Sequence, residues 1–236
     1  ALMKVMPALD IPGQVALLDQ TQREYASYGI TTVQDGASLE EALTILQAAA
    51  DQEKLFLDVV SYPYGAMTVD GLKKYPPSLT YRNHYRVGGI KLVLDGSPQG
   101  KTAWLTKPYF HPPHGQPADY SGYPTLQDEQ AQVFVDYAFA NDIPLIAHAN
   151  GDAAGDQLIN AVAAAGKQFG KKDRRPVMIH AQTAREDQID RMLEEGMVPS
   201  YFVAHTFYWG DWHRDSVFGP ERASRISPLR SSTDKV

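Results

Sequence analysis

The segment I-P-L-I-A-H-A-N-G-D, residues 143–152, constrains the fold of this chain more than any other. Its short apolar run ends in His148, and Gly151 and Asp152 then turn the chain into a helical pattern from Ala153 to Ala165. A strand that ends in a histidine and passes at once into a helix is typical of parallel α/β sheets, which present functional groups at their carboxyl ends. The segment therefore predicts a parallel α/β fold.

Two further segments repeat this arrangement. Residues 88–96 (G-G-I-K-L-V-L-D-G) form an apolar run that carries Lys91, and residues 175–182 (R-P-V-M-I-H-A-Q) form a run that ends in His180. Because parallel strands direct their carboxyl ends to one edge of a sheet, we expect Lys91, His148 and His180 to meet there.

Apolar spacing and turn residues predict strands that alternate with helices. We expect six strands, at 30–34, 55–61, 88–96, 143–148, 175–182 and 197–203. Right-handed βα units in series give an open doubly wound sheet or a (β/α) barrel. We favour the barrel, since functional residues recur at strand ends around the sheet, whereas an open sheet concentrates its chemistry near one switch point.

Polar residues predict where these helices begin. Asp35-Gly36 is expected to end the first strand, and Asp152 is expected to cap its helix. Capping-box spacing occurs at Ser38 with Glu41, Thr125 with Asp128, and Thr183 with Glu186. The predicted buried faces of the helices include Tyr25, Leu39, Val133, Tyr137 and Leu193.

Composition narrows the function classes. The net charge of −6 and the scattered Lys and Arg residues argue against a nucleic-acid partner. The chain has no cysteine, so any metal must be held by nitrogen and oxygen ligands. Apolar runs fall short of the ~18–20 residues of a membrane helix, so no membrane partner is expected. Residues 1–12 lack the apolar core of a signal peptide, which favours the cytoplasm, with export the alternative if a leader precedes Ala1.

His148 and His180 are separated by one βα unit, which places them on neighbouring strands. Their imidazoles could share one divalent metal, most plausibly zinc. The alternative is that each is a buried histidine bonded to the backbone or to a carboxylate. Lys91 either reaches a carboxylate such as Asp95, or has a lowered pKa and acts as a Schiff-base nucleophile or as a carbamate ligand of a metal. Asp95 itself either supports the site or belongs to a turn.

The irregular residues 96–124 are expected to form a lid over the site. Trp104 in this loop and Trp209 near the last helix suggest a pocket for apolar or aromatic groups. His205 follows a strand and could bond a substrate carbonyl or a developing oxyanion. Its alternative is a hydrogen-bonded histidine within an aromatic cluster. His111 and His114 are interpreted as polar surface residues of the loop.

With these motifs the chain resembles the amidohydrolase superfamily, and within it amidohydrolase family 3, the branch of YtcJ-like proteins and N-substituted formamide deformylases. The motifs occur in order along essentially the whole chain: G-G-I-K-L-V-L-D-G-S at 88–97, H-A-N-G-D at 148–152, I-H-A-Q at 179–182 and A-H-T-F-Y-W-G-D-W-H-R at 204–214. F-G-P-E-R at 218–222 and I-S-P at 226–228 also match.

The resemblance implies a (β/α)8 barrel, of which residues 1–236 form a single incomplete domain with strands two to seven. It implies one or two divalent ions, a carboxylated Lys91, and His148 and His180 as ligands. A metal-activated hydroxide then attacks an amide, N-formyl or N-acyl C–N bond of a small molecule. We assign substrate binding to His205, Trp104, Trp209 and Asp95.

Two family features are missing from this sequence: the H-x-H motif after the first strand and the aspartate after the eighth. We therefore expect the chain alone to have little or no hydrolase activity. Open sheet edges predict self-association. Two alternatives are a non-catalytic barrel remnant with a binding or scaffold role, and a Schiff-base lyase that uses Lys91.

Overall fold

A computed structural model describes residues 9–64 and 68–235 of the chain. The chain divides into two compact units, residues 1–89 and residues 90–236. The expected single domain over residues 1–236 stays a prediction. None of the helices within the described ranges is long and apolar enough to cross a membrane.

The first unit is a three-stranded parallel sheet with helices between its strands. Its described elements are α1 (Ile11–Ser27), β1 (Thr32–Ser38), α2 (Glu40–Asp51), β2 (Asp58–Pro63), α3 (Val69–Leu72) and β3 (Tyr85–Val87). The strand order is β1-β2-β3. Apolar residues from helices and strands form the core, among them Val15, Leu46, Ala49, Leu55 and Val59.

The second unit carries the three residues singled out by the sequence. Its described elements are β4 (Ile90–Val93), α4 (Asp128–Ala140), β5 (Leu145–Ala149), α5 (Asp152–Phe169), β6 (Val177–His180), α6 (Glu186–Glu194), β7 (Val198–Tyr201), α7 (Ala204–Trp212), a π-helical turn (His213–Val217), α8 (Gly219–Ala223) and α9 (Leu229–Thr233). The strands pair in parallel in the order β4-β5-β6-β7. The predicted α/β class with parallel strands is confirmed.

Helix α5 shows why the sequence folds in this way. Apolar residues recur every three or four positions along it, and they are buried: Ala154, Leu158, Ile159, Val162 and Ala165. This spacing places them on one face of a helix. β5 is also buried along most of its length, so the helix and the strand both contribute apolar residues to the core.

The predicted first break and first helix cap are wrong. Strand β1 continues through Asp35 and Gly36 to Ser38, with a register shift between Asp35 and Ser38. Ser38 is the last residue of β1, where its hydroxyl donates to the Asp35 carboxylate at 2.6 Å. Helix α2 begins at Glu40, with Leu39 as an N-cap that makes no side-chain hydrogen bond.

The other predicted caps also differ. The backbone N–H of Gln127 donates to Gln130 at the start of α4, and that of Arg185 donates to Gln188 at the start of α6. The predicted cap residues bond strand ends instead: the Thr125 hydroxyl donates to the Val93 carbonyl, and the Thr183 hydroxyl donates to the Asn150 carbonyl.

Some predicted positions differ in smaller ways. Asp152 is the first residue of α5, and Gly151 is its N-cap. Tyr25, Leu39, Val133 and Leu193, which were expected to face inward, are exposed. β3, which was not among the six predicted strands, has only three residues and is too short to give a periodic signal.

Candidate functional site

The ends of β4, β5 and β6 bring Lys91, His148 and His180 into one region. Val93 lies opposite His148, and Ala149 lies opposite His180 in the strand register. The His148 and His180 rings meet edge to face, with centroids 4.6 Å apart. The charges of His148 and Lys91 both contribute to lowering the pKa of His180, which places all three groups within electrostatic range.

His148 has one ring nitrogen engaged and one available. Its Nε2 lies 2.8 Å from the Gly96 carbonyl oxygen and 3.3 Å from Asp95 Oδ1. The Asn150 amide nitrogen also lies 3.0 Å from Nε2, but it donates to the Gly96 carbonyl at 2.8 Å, so we assign the proton of neutral His148 to Nε2, where two acceptors face it. Nδ1 then carries the lone pair. A histidine whose N–H is held by a carbonyl in this way has its other nitrogen oriented as a ligand.

His180 combines backbone strain with an unsatisfied nitrogen. Its φ is +74°, and that of Ala181 is +44°, both in the left-handed region that side chains other than glycine rarely adopt. Its Nδ1 is buried and has no hydrogen-bond partner among the described residues. Burial, followed by the charges of His148, Lys91 and His205, lowers the pKa of His180 to about 3. The ring is therefore neutral at pH 7 and has a free nitrogen.

Lys91 is a buried cation without a counter-charge. Its side chain lies in β4 with 5% of the residue exposed, and it forms no hydrogen bond or ion pair within residues 9–64 and 68–235. The suggested pairing with Asp95 is therefore wrong. Burial lowers the pKa of Lys91 to about 8, so a sizeable fraction is neutral amine under mildly alkaline conditions.

Replacing Lys91 with methionine is expected to raise the free energy of unfolding at pH 7 by about 3 kcal/mol, because it removes a buried, unpaired ammonium. The folded pKa of about 8 lies below the ordinary value of 10.5, so the unfolded chain binds more protons between these values. Stability of the unsubstituted chain should therefore rise from pH 8 to 10.5, and the variant should lack that rise. Urea denaturation of the chain and the variant across this pH range, in CO2-free and metal-free buffer, measures both free energies of unfolding. If the two free energies change with pH in parallel, Lys91 does not have the lowered pKa.

Asp95 connects three segments of the site through hydrogen bonds. It is 1% exposed, and its carboxylate accepts backbone hydrogen bonds from Asn150 at 3.0 Å, Gly151 at 2.7 Å and Trp104 at 3.0 Å. The carboxylate therefore joins the end of β4 to the turn after His148 and to the long loop. With these bonds made, Asp95 has no accessible face for substrate. The geometry favours a positioning role over the expected substrate contact.

His205 belongs to a group that sequence reasoning found only in part. Its Nδ1 lies 2.6 Å from Oε1 of the buried Gln182, closer than the 3.3 Å approach of the Gln99 amide nitrogen. The amide nitrogen of Gln182 lies 3.4 Å from His213 Nε2. His213 is fully buried, and burial together with His205 lowers its pKa to about 4. Gln182 follows His180 in I-H-A-Q, but His213 gave no periodic signal because its helix is a π-helical turn.

The contact with Gln182 fixes the proton of neutral His205. Because Gln182 Oε1 can only accept, Nδ1 must donate, and Nε2 is left with a lone pair. ¹⁵N NMR of the chain at neutral pH should therefore find His205 protonated at Nδ1. Gln182→Met should convert it to a mixture of tautomers, whereas the exposed Gln116→Met should have no effect. A His205 protonated at Nε2 in the unsubstituted chain would contradict this reading.

The two tryptophans differ in position. Trp104 is partly buried, its N–H bonds Asp95, and its carbonyl accepts from Ala153 at 3.2 Å. Trp209 is exposed on α7. Their roles in substrate binding stay predictions. The long loop is anchored by Lys101, whose ammonium donates to the His111 carbonyl at 2.6 Å and to Ser216 at 2.8 Å.

The side chains at these strand ends supply only part of the ligand set that a metal ion needs. Within the described chain, no three His, Cys, Asp or Glu side chains form a metal-binding group. His148 and His180 nevertheless supply two imidazoles, and the unpartnered His180 Nδ1 is the kind of buried polar atom that a ligand would satisfy. A third donor has to come from Lys91, which requires the ammonium to lose its charge.

Comparison with known proteins shows the family of this chain. The sequence profile of the amidohydrolase family matches residues 1–235. The chain belongs to the amidohydrolase family. This amidohydrolase chain is 29% identical to YtcJ of Bacillus subtilis (strain 168) over 125 residues, which are 52% of this chain and 22% of YtcJ.

Solved structures agree on the fold. An uncharacterized metal-dependent hydrolase from Pyrococcus furiosus superposes with a TM-score of 0.78 at 24% identity, over 96% of this chain and 45% of that chain. An uncharacterized metal-dependent hydrolase from Pyrococcus horikoshii OT3 superposes with a TM-score of 0.78 at 23% identity, over 96% of this chain and 44% of that chain. The likeness shows that this chain shares the α/β fold of these two hydrolases, and the fit to part of a (β/α)8 barrel stays as the sequence predicts. The chain spans less than half the length of either hydrolase.

Proposed function

We propose that this amidohydrolase chain contributes Lys91, His148 and His180 to a divalent-metal site of an enzyme that hydrolyses the C–N bond of a small amide, N-formyl or N-acyl compound. The observation that carries the proposal is the buried, unpartnered Nδ1 of His180 beside His148. A neutral imidazole with no partner in a buried site is costly unless a ligand satisfies it.

Zinc is well suited to imidazole donors, and a divalent ion bound there would polarise a carbonyl and lower the pKa of water. The residues of the chain prepare this chemistry. Burial keeps His180 neutral, and the Gly96 carbonyl orients His148. The neutral amine of Lys91 can attack the carbon of CO2, and loss of one proton from nitrogen then leaves an anionic carbamate with two donor oxygens.

His205 is proposed to accept rather than donate a hydrogen bond. With Nδ1–H directed at Gln182 and its pKa lowered by burial, neutral His205 presents a lone pair at Nε2. That nitrogen suits an N–H of the substrate or a water proton. It does not suit a developing oxyanion, which needs a donor. The oxyanion role considered from the sequence is therefore replaced in this proposal.

The direct test is hydrolysis by the full-length product of the gene that contains this chain. Its metal-loaded form should release amine from N-formyl or N-acyl substrates, and His148→Gln and His180→Gln should each lower kcat by about 10³-fold or more. His114→Gln, in the exposed part of the long loop, should have no effect. Full turnover by the His180 variant would contradict the proposal. We expect the 236-residue chain by itself to turn over little, because it contains no H-x-H motif.

The lowered pKa of Lys91 also favours a second candidate, a Schiff-base lyase. Such an enzyme needs no metal, and borohydride would trap an adduct between Lys91 and a carbonyl substrate. Activity that survives chelation, with Lys91 labelled, would favour this candidate over hydrolysis.

Self-association remains a proposal based on strand edges. Among the described strands, β1 and β7 each lie at an edge of their sheet. Exposed edges offer unpaired backbone groups to a second chain. Light scattering should detect dimers or larger species, and a strictly monomeric chain would contradict the proposal.

A further inference from the structure

A cavity of about 350 Å³ lies in the second unit, and none of the three proposed metal-site residues lines it. It is bounded by the long loop at Leu105 and Lys107, by Thr183 and Ala184 after β6, and by Phe218 and other residues around α8. This volume is typical of small-molecule sites, which range from roughly 300 to 1,000 Å³.

Arg222 lines this cavity as a cation with no ion-pair partner among the described residues. Its guanidinium donates to three neutral carbonyl oxygens, those of Phe218 at 2.9 Å, Lys107 at 3.3 Å and Pro108 at 2.6 Å. It forms no ion pair with any described carboxylate. A guanidinium has five N–H donors, so two remain for a ligand. Burial lowers the pKa of Arg222, and the charge of Asp152, which is close but forms no ion pair with it, acts in the opposite direction.

The remaining charges of the cavity are largely neutralised. Arg185 pairs with Asp152 at 3.3 Å, Asp156 at 3.0 Å and Asp187 at 2.9 Å. Arg225 pairs with Glu186 at 2.5 Å.

Lys107 is the second free cation that lines the cavity, since its ammonium has no partner within the described ranges. Arg222 and Lys107 are therefore the two cations of the cavity that have no described carboxylate partner.

The wall of the cavity is apolar. Leu105, Ala184 and Phe218 are buried and line it. An inorganic anion would leave this apolar surface uncovered, whereas an organic anion would cover it. A planar carboxylate also matches the fork of a guanidinium.

We propose that this cavity binds a small organic carboxylate with an apolar body. The carboxylate lies against Arg222 and Lys107, and the apolar body packs on Leu105, Ala184 and Phe218. None of Lys91, His148 and His180 lines this cavity, and the proposal does not depend on the hydrolytic function.

The test is calorimetric titration of the chain with benzoate, with benzamide as the neutral analogue of the same shape. We expect 1:1 binding of benzoate with a Kd below about 1 mM, and binding of benzamide at least about tenfold weaker. Lys107→Met should weaken benzoate about fivefold, and Arg222→Gln at least about tenfold. Lys167→Met, an exposed lysine near the end of α5, is the matched control and should bind as the unsubstituted chain does.

Lys107→Met keeps the proposal testable if Arg222→Gln disturbs the loop, because the Lys107 side chain makes no described contact that folding would lose. Absence of benzoate binding at about 20 mM, equal binding of benzamide, or unchanged affinity in Lys107→Met would overturn the proposal. Binding of inorganic phosphate without binding of benzoate would overturn it as well.

Discussion

Asp95→Ala is expected to lower the free energy of unfolding of the chain by about 3–5 kcal/mol, as measured by urea denaturation. The carboxylate accepts hydrogen bonds from the backbone N–H groups of Asn150, Gly151 and Trp104 in a buried site. Alanine leaves all three donors unsatisfied, and each buried donor costs about 1–3 kcal/mol, less than additively. Asp95 thus joins the end of β4, the turn after β5 and the long loop through one carboxylate.

Asp119→Ala is the matched control, since Asp119 is exposed in the same loop. It should change stability by less than about 0.5 kcal/mol. Asp95→Asn should fall between the two, because its amide keeps one acceptor oxygen but turns an NH2 group toward a backbone donor. If the free energy of unfolding of Asp95→Ala lies within about 1 kcal/mol of that of the unsubstituted chain, Asp95 does not hold these segments together.

Gly151→Ala is expected to cost about 3 kcal/mol for a steric reason. A Cβ at this position would lie 1.8 Å from the Trp104 carbonyl oxygen and 2.5 Å from its carbon. These are backbone atoms, and the Trp104 N–H is held by Asp95, so the loop cannot move without losing that bond. Overpacking of this kind typically costs 1–3 kcal/mol, and here it also strains the Gly151 bond to Asp95.

Gly210→Ala is the control, and it is expected to raise stability instead of lowering it. Gly210 lies within α7, and a Cβ there would meet nothing within 4 Å. Alanine in a helix interior is favoured over glycine, so this variant should gain up to about 1 kcal/mol. Equal stability of the Gly151 and Gly210 variants would show that the loop does not press on the turn after His148.

The strand ends could be predicted because they combine two strong local signals. Buried parallel strands appear as apolar runs, and a lysine or histidine inside such a run stands out as a group that needs a reason to be buried. Lys91, His148 and His180 were all visible in this way, and the parallel register then brought them together.

The contacts that hold the site could not be predicted, because their partners are distant in the sequence. Thr125 and Thr183 had the spacing of helix caps, but the folded chain offers them the carbonyls of Val93 and Asn150. The positioning role of Asp95 depends on Asn150, and that of Gln182 depends on His205. Local propensity gives no information on such pairs, since tertiary contacts decide between several bonds of similar strength.

The most direct test of the central claim is calorimetric titration of the chelator-treated chain with Zn²⁺. The unsubstituted chain should bind with a Kd below about 10 µM, and His148→Gln and His180→Gln should each weaken binding at least about 100-fold, or about 3 kcal/mol. His114→Gln should bind as tightly as the unsubstituted chain. No binding at about 1 mM, or the same affinity in the His180 variant, would contradict a metal site at these strand ends.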